Sequence, residues 1–156
     1  MIEWSEGLSV GIHAIDDQHC ALLNILNQLE GMMLSESSSD DLHTICRDIA
    51  VYCERHFLDE ETLMREASYP LLAEHARKHR SIHTHINALL DRRKEGVDVS
   101  KALVRLLNAQ VDVHLKTEDM EFAEWLRKTE TLRRMAVGEQ LSALIAQPRR
   151  NAWWRW

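Results

Sequence analysis

The chain is 156 residues long and 45% apolar, with 5 glycines and with 2 prolines that both fall at segment boundaries; this suits one domain with a proper core, built of helices rather than many short strands. Its net charge of −6 is divided: residues 127–156 hold seven Lys/Arg against Glu130 and Glu139, or +5, so the remainder carries −11, and an acidic body does not suit nucleic acid. No apolar run approaches the roughly 20 residues that span a bilayer, and the opening MIEWSEGLSV has neither the basic start nor the apolar stretch of a signal peptide, so neither a membrane span nor secretion is expected.

Four amphipathic segments follow in chain order. The first runs from about Asp16 to Leu34, with Ile15, Leu22, Leu23, Leu26, Leu29 and Met33 on one face. After the linker SESSSDD, Ser39 or Asp40 suits the cap of a second helix, which reaches about Arg65 and carries Leu42, Ile45, Ile49, Tyr52 and Leu63 at helical spacing. Pro70 suits the first turn of a third helix; it extends to about Lys94 and turns Leu71, Leu72, Ile82, Ile86, Leu89 and Leu90 inward. Gly96 breaks the chain, and a fourth helix from about Asp98 to Arg127 carries Leu103, Leu107, Val111, Phe122 and Leu126. Short connections make successive helices antiparallel neighbours. The expected fold is all-α: an up-down-up-down antiparallel four-helix bundle over residues 1–126, with a short helical extension over 127–156.

Each apolar face is interrupted by polar residues. Around a helix, i and i+4 lie only some 40° apart. His56 falls between Ile49 and Leu63 with Glu60 on the same line, and His75 and His79 lie between Leu71/Leu72 and Ile82/Ile86. His19 is one turn from both Ile15 and Leu23, and His114 follows Leu107 and Val111. Taken alone, a histidine such as His19 reads as a hydrogen-bonded core residue. A buried, ionised Glu without a partner costs several kcal/mol, and so many polar groups on inward faces would strain a domain whose whole stability is about 5–15 kcal/mol. A shared metal counter-charge removes the conflict. His13, His43, His83 and His85 fall outside or beside the inward stripes and read as surface residues.

Five imidazoles with carboxylates and no thiolate disfavour structural zinc, which seldom exceeds four ligands. The nitrogen donors exclude all-oxygen calcium or magnesium. Imidazole with carboxylate suits iron, and a donor set this large suits two ions bridged by carboxylates better than one. Bundle-core di-iron oxidases carry a Glu-x-x-His on each of two helices, and this chain shows no such pair.

Trp4, the IDDQH that ends in His19, HFLDEETLM, YPLLAEHARKH and HLKTED form an ordered set that resembles the hemerythrins, in particular the bacterial hemerythrins, over roughly residues 4–126. The resemblance implies two iron ions (Fe2+/Fe3+) with a bridging oxo or hydroxo group. It puts His75, His79 and His114 on one iron and His19 and His56 on the other, with Glu60 and Asp119 bridging. It further implies dioxygen as the ligand, bound reversibly at the open position of the iron with two histidines. A non-enzymatic, cytoplasmic protein for O2 storage, delivery or sensing is the expectation that follows. Two alternatives stand beside it: a sensory module that reports O2 or redox state through the C-terminal extension, and a di-iron oxidase, peroxidase or NO-handling enzyme.

Two positions fit the pattern less simply. Gln110 stands one turn before His114, where many members have a tryptophan; its amide either borders the O2 pocket, admitting water or donating a hydrogen bond, or faces a neighbouring helix. In HLKTED, Glu118 at i+4 from His114 points more directly inward than Asp119 at i+5, which lies about 140° away. Geometry selects Glu118 and the family pattern selects Asp119; a wide, π-type turn after His114 would reconcile them. The cysteines, Cys20, Cys46 and Cys53, match no zinc spacing and read as reduced thiols, with Cys53 a small core residue one turn before His56.

The extension divides into TLRRMAVGEQLSALIAQ, a short fifth helix weakened by Gly138, and PRRNAWWRW. Such a segment either folds back on the acidic bundle or offers a contact for a partner protein, a second subunit or an anionic membrane face, where Trp and Arg are favoured.

Overall fold

Apolar residues at three- and four-residue spacing wind the chain into α1 (His13–Leu34), α2 (Ser39–Glu66), α3 (Leu72–Lys94) and a fourth rod. That rod joins α4 (Ser100–Gln110), a π-helical stretch (Val111–Asp119) and α5 (Met120–Lys128). The computed structural model describes residues 2–35 and 37–129, and among these there is no strand. α2 packs on both α1 and α3, and the fourth rod closes against α1, α2 and α3. The all-α bundle expected from the sequence is therefore the fold. The fifth helix and the PRRNAWWRW segment lie outside the described residues. Among the described residues no helix is long and apolar enough to cross a membrane.

The helix ends differ from expectation in instructive ways. α1 begins before Asp16 because the Ile12 carbonyl already accepts the N–H groups of Ile15 and Asp16, each at 2.9 Å. The Asp16 carboxylate is thereby free to hold the incoming arm, accepting the Val10 N–H and the Ser9 hydroxyl at 2.7 Å each and the Gly11 N–H at 3.1 Å. Ser38, rather than Ser39 or Asp40, caps α2, its hydroxyl accepting the Asp41 N–H at 3.1 Å.

α2 closes with two reversed bonds, Tyr69 N–H to the Met64 carbonyl at 2.8 Å and Ser68 N–H to the Arg65 carbonyl at 3.0 Å, with Ser68 at φ +58°. This is the left-handed closure in which Tyr69 packs back on Met64. It turns the chain outward, so Pro70 lies in the connection ahead of α3 and Leu71 is 40% exposed instead of inward. α3 ends in the same way at Gly96, φ +89°, a conformation glycine adopts without steric cost.

The core forms two blocks. Leu26, Leu29, Ile45, Ile49, Ile86, Leu103 and Leu107 fill one, and Ile15, Leu63, Met64, Tyr69, Phe122 and Leu126 fill the other. Along every rod the polar residues of the inward stripe fall between the two blocks, which sets them at mid-height of the bundle. A third cluster packs Leu8 with Leu23, Val111 and Leu115, with Trp4 and Ile2 laid over it. Asn27 fastens this N-terminal arm, accepting the Ile2 N–H at 3.0 Å and donating to its carbonyl at 2.8 Å. Arg93, buried in the last turn of α3, donates to the carbonyl of Ser39 and, at 2.9 Å, to its hydroxyl, tying α3 to the first turn of α2.

Candidate metal centre

All seven residues expected at the site are buried and meet in one place. They are His19 from α1, His56 and Glu60 from α2, His75 and His79 from α3, and His114 and Asp119 from the π-helical stretch. They form two overlapping sets, Glu60–His75–His79–His114–Asp119 and His19–His56–Glu60–Asp119, and within each set the facing atoms lie within 4.8 Å of one another. His13, His43, His83 and His85 join neither.

The two carboxylates divide their oxygens between the sets. Glu60 Oε2 faces His79 Nε2 at 3.2 Å and His75 Nε2 at 3.5 Å, while Oε1 faces Nε2 of His19 and of His56 at 3.9 Å each. Asp119 Oδ1 faces His114 Nε2 at 3.3 Å and His75 Nε2 at 3.4 Å, while Oδ2 faces His19 Nε2 at 3.5 Å. Most of these spacings are too long for hydrogen bonds, yet the atoms converge.

The π-helical stretch resolves the choice between Glu118 and Asp119. Its wider turns carry Asp119 inward, to 1% exposure, five residues after His114. Glu118 stands behind the ring instead, accepting from His114 Nδ1 and pairing with Lys78 Nζ at 2.7 Å. Burial pushes the Glu118 carboxyl up, but Lys78 and His114 outweigh this and hold it below its ordinary range, so it is an anionic acceptor.

The rings are set by such partners. His79 Nδ1 meets Glu61 Oε1 at 3.0 Å, and His114 Nδ1 meets Glu118. A carboxylate only accepts, so both Nδ1 atoms carry the hydrogen and both rings turn Nε2 inward. Those two nitrogens are 2.8 Å apart. Two donors on one metal at bonds of roughly 2 Å would likewise stand about 3 Å apart. For His56, Gln18 donates its amide nitrogen to Asp59 at 3.0 Å, which leaves its oxygen to accept from His56 Nδ1 at 2.9 Å. Burial pushes His56 down to about 4, so that ring is neutral.

His19 Nδ1 and Nε2, His75 Nε2, Glu60 Oε2 and both Asp119 oxygens are fully buried without a hydrogen-bond partner, and buried polar groups are otherwise nearly always satisfied. Burial would raise Glu60, but His56, His75 and His79 reverse this and hold it well below the carboxylate range. Burial likewise lowers His19 and His79, yet Asp119 and Glu60 beside them raise both. Imidazole nitrogens from all four rods, with carboxylate oxygens from two of them, fit a metal cation of the iron type.

A cavity of about 40 Å³ adjoins the site, bordered by His19, His56, Cys53, Phe57, Gln110 and Val111 among others. Gln110 is among the residues that border this cavity. Cys53 serves both as core and as cavity wall, and burial pushes its thiol up to about 12, so it stays protonated. Sequence reasoning missed Gln18, Asp59 and Glu61, and also Phe57, whose ring stacks on His79 with centroids 4.2 Å apart. Their one available signal is position: each directly adjoins a site residue in the chain.

A helical bundle that buries two overlapping donor sets of this kind is a metal-binding protein of the non-haem class. The chain belongs to the hemerythrin family: the family profile described as Hemerythrin HHE cation binding domain matches residues 10–126. It is 28% identical to a Bacteriohemerythrin of Stenotrophomonas maltophilia (strain R551-3) over 127 residues, covering 81% of this chain and 82% of that one. It is 24% identical over 150 residues to a Bacteriohemerythrin of Pseudomonas aeruginosa (strain LESB58), covering 96% and 90%. A Bacteriohemerythrin of Campylobacter jejuni (serotype O:23/36, strain 81-176) is 27% identical over 119 residues, covering 76% and 90%.

Proposed function

We propose that the chain holds two iron ions and binds dioxygen reversibly, for storage, delivery or sensing. The observation that carries this reading is the division of oxygens at Glu60 and Asp119, one toward each histidine set. His75, His79 and His114 with Glu60 Oε2 and Asp119 Oδ1 would hold one ion; His19 and His56 with Glu60 Oε1 and Asp119 Oδ2 would hold the other. Two ferrous ions held there would supply electrons to a dioxygen ligand. Both histidines of the set with fewer donors border the cavity, against His114 alone of the other three, so ligand entry belongs on that side. There Leu22, Phe57, Ile82, Leu107 and Val111 keep the wall apolar and water sparse, while the Gln110 amide offers a hydrogen-bond donor. Five imidazoles with only two carboxylates leave the ions less electron-rich than a carboxylate-dominated set would, which favours release of unaltered O2 over its further reduction. The relatives' name, Bacteriohemerythrin, supports the same reading.

Metal analysis joined to an optical spectrum of the reduced protein, cycled between O2 and argon, tests it. A pair of irons per chain and an oxygenated spectrum that reverses under argon are expected. A single iron, or rapid autoxidation coupled to substrate turnover, would replace the binder with a different protein.

A further inference from the structure

The two histidine sets are not held alike. In the first, two rings lean on carboxylates: Glu61 Oε1 on His79 at 3.0 Å, and Glu118, itself paired with Lys78 at 2.7 Å, on His114. A carboxylate behind an imidazole fixes its tautomer and strengthens it as a donor, and such partners change metal affinity by about 10–100-fold. In the second set His56 leans on the neutral amide of Gln18 at 2.9 Å, and neither nitrogen of His19 has a hydrogen-bond partner although both are fully buried. The His19 ring therefore has no acceptor behind it at Nδ1, and a metal bond at Nε2 would leave a buried Nδ1–H without a partner. The first set also brings three imidazoles to the shared carboxylates where the second brings two.

We infer that iron is held unequally: the ion among His75, His79 and His114 is retained, and the ion between His19 and His56, beside the cavity, is the one that exchanges. Glu61 and Glu118 are positioning residues for the retained ion, and Gln18 is the positioning residue for the exchangeable one. The inference rests on the di-iron reading and adds an order of release to it. A chain holding a single iron, at the three-histidine position, is then a discrete species. The position with both its histidines on the cavity is also the one at which a second divalent metal would enter.

Graded addition of a ferrous chelator to the reduced, iron-loaded full-length chain, read by native mass spectrometry, tests it. One iron should leave at a chelator concentration at least ten-fold below that needed for the second, with the one-iron chain the main species between. Glu118→Gln should weaken retention of the second iron about 10–100-fold and leave the first step in place, and Gln18→Leu should shift only the first step. Glu61→Gln makes the same test through His79, so a folding failure in one variant leaves the other decisive. Because a general loosening of the fold would move both steps together, the separation of the steps distinguishes positioning from stability. Wild-type chains that pass from two irons to none without a one-iron species would overturn the inference alone. Equal shifts of both steps in Glu118→Gln and Glu61→Gln would do the same, whereas wild-type chains that never hold two irons would overturn the proposed function.

Discussion

Gln110 gives the cavity its one amide, half-buried where the wall is otherwise apolar apart from the site histidines, Asp119 and Cys53. Replacing it with tryptophan should fill the cavity mouth, exclude water and slow autoxidation of the oxygenated protein several-fold. An unchanged or faster rate, followed by the decay of the oxygenated spectrum, would show that Gln110 does not govern access. Asp119 makes the sharper case, because its two oxygens serve different histidine sets. Asp119→Ala should abolish the coupled pair and cut iron content to about half or less, as measured by metal analysis and magnetic susceptibility. Iron content and coupling equal to wild type would remove Asp119 from the site. The histidines were legible in the sequence because a polar residue on an apolar stripe is conspicuous. Gln18, Asp59 and Glu61 were not, since they sit on flanks where Gln, Asp and Glu are ordinary surface residues; only the folded geometry aims Gln18 and Glu61 at a ring and Asp59 at the Gln18 amide.

The helices themselves follow from apolar periodicity, and all four rods appear within a few residues of their expected spans. Their ends were less legible because caps are decided by single hydrogen bonds: Ser38 outcompetes its neighbours, and nothing in SYP announces that Ser68 will adopt φ +58°. That conformation costs a side-chain-bearing residue about 1–2 kcal/mol, against roughly 0.5–1 kcal/mol of extra chain entropy lost by glycine. Ser68→Gly should therefore stabilise the protein by up to about 1 kcal/mol, raising Tm by about 2–4 °C in a chain of this size. Thermal melts of the iron-loaded protein decide it; a lower Tm would mean that the Ser68 side chain contributes more than its backbone costs. The π-helical stretch was foreseen only as a way to reconcile Glu118 with Asp119, since a regular α-helix would have put the wrong carboxylate inside.

At the scale of the whole molecule, each of the four rods contributes at least one donor to the same point, between two blocks of core. The metal pair would therefore act as a cross-link among all four, and its loss would leave buried nitrogens and oxygens at about 1–3 kcal/mol apiece without partners. Against a total of about 5–15 kcal/mol, this is a large share. Removing iron with a chelator should lower Tm by more than about 10 °C and sharply increase susceptibility to protease, with recovery on adding ferrous iron back. A Tm insensitive to iron would mean that the bundle's packing satisfies the site by itself.

The wide turns between Val111 and Asp119 also have a meaning in chain length. They take up one residue more than a straight α-helix needs to lead from the Leu103–Leu107 face to the Phe122–Leu126 face, since each residue advances the phase by about 100°. The fourth rod thus carries a surplus residue, and that surplus is what brings Asp119 inward while keeping Glu118 behind the ring. A one-residue deletion is ordinarily ruinous in a core helix because everything beyond it rotates out of register. Here, deleting the exposed Lys116 should return the segment to an ordinary helical ladder, with Asp119 one turn after His114 and Phe122 and Leu126 still in the core. Removing Lys101 from the regular part of the same rod should instead destroy the fold, and circular dichroism with iron content on the two deletions would separate the outcomes.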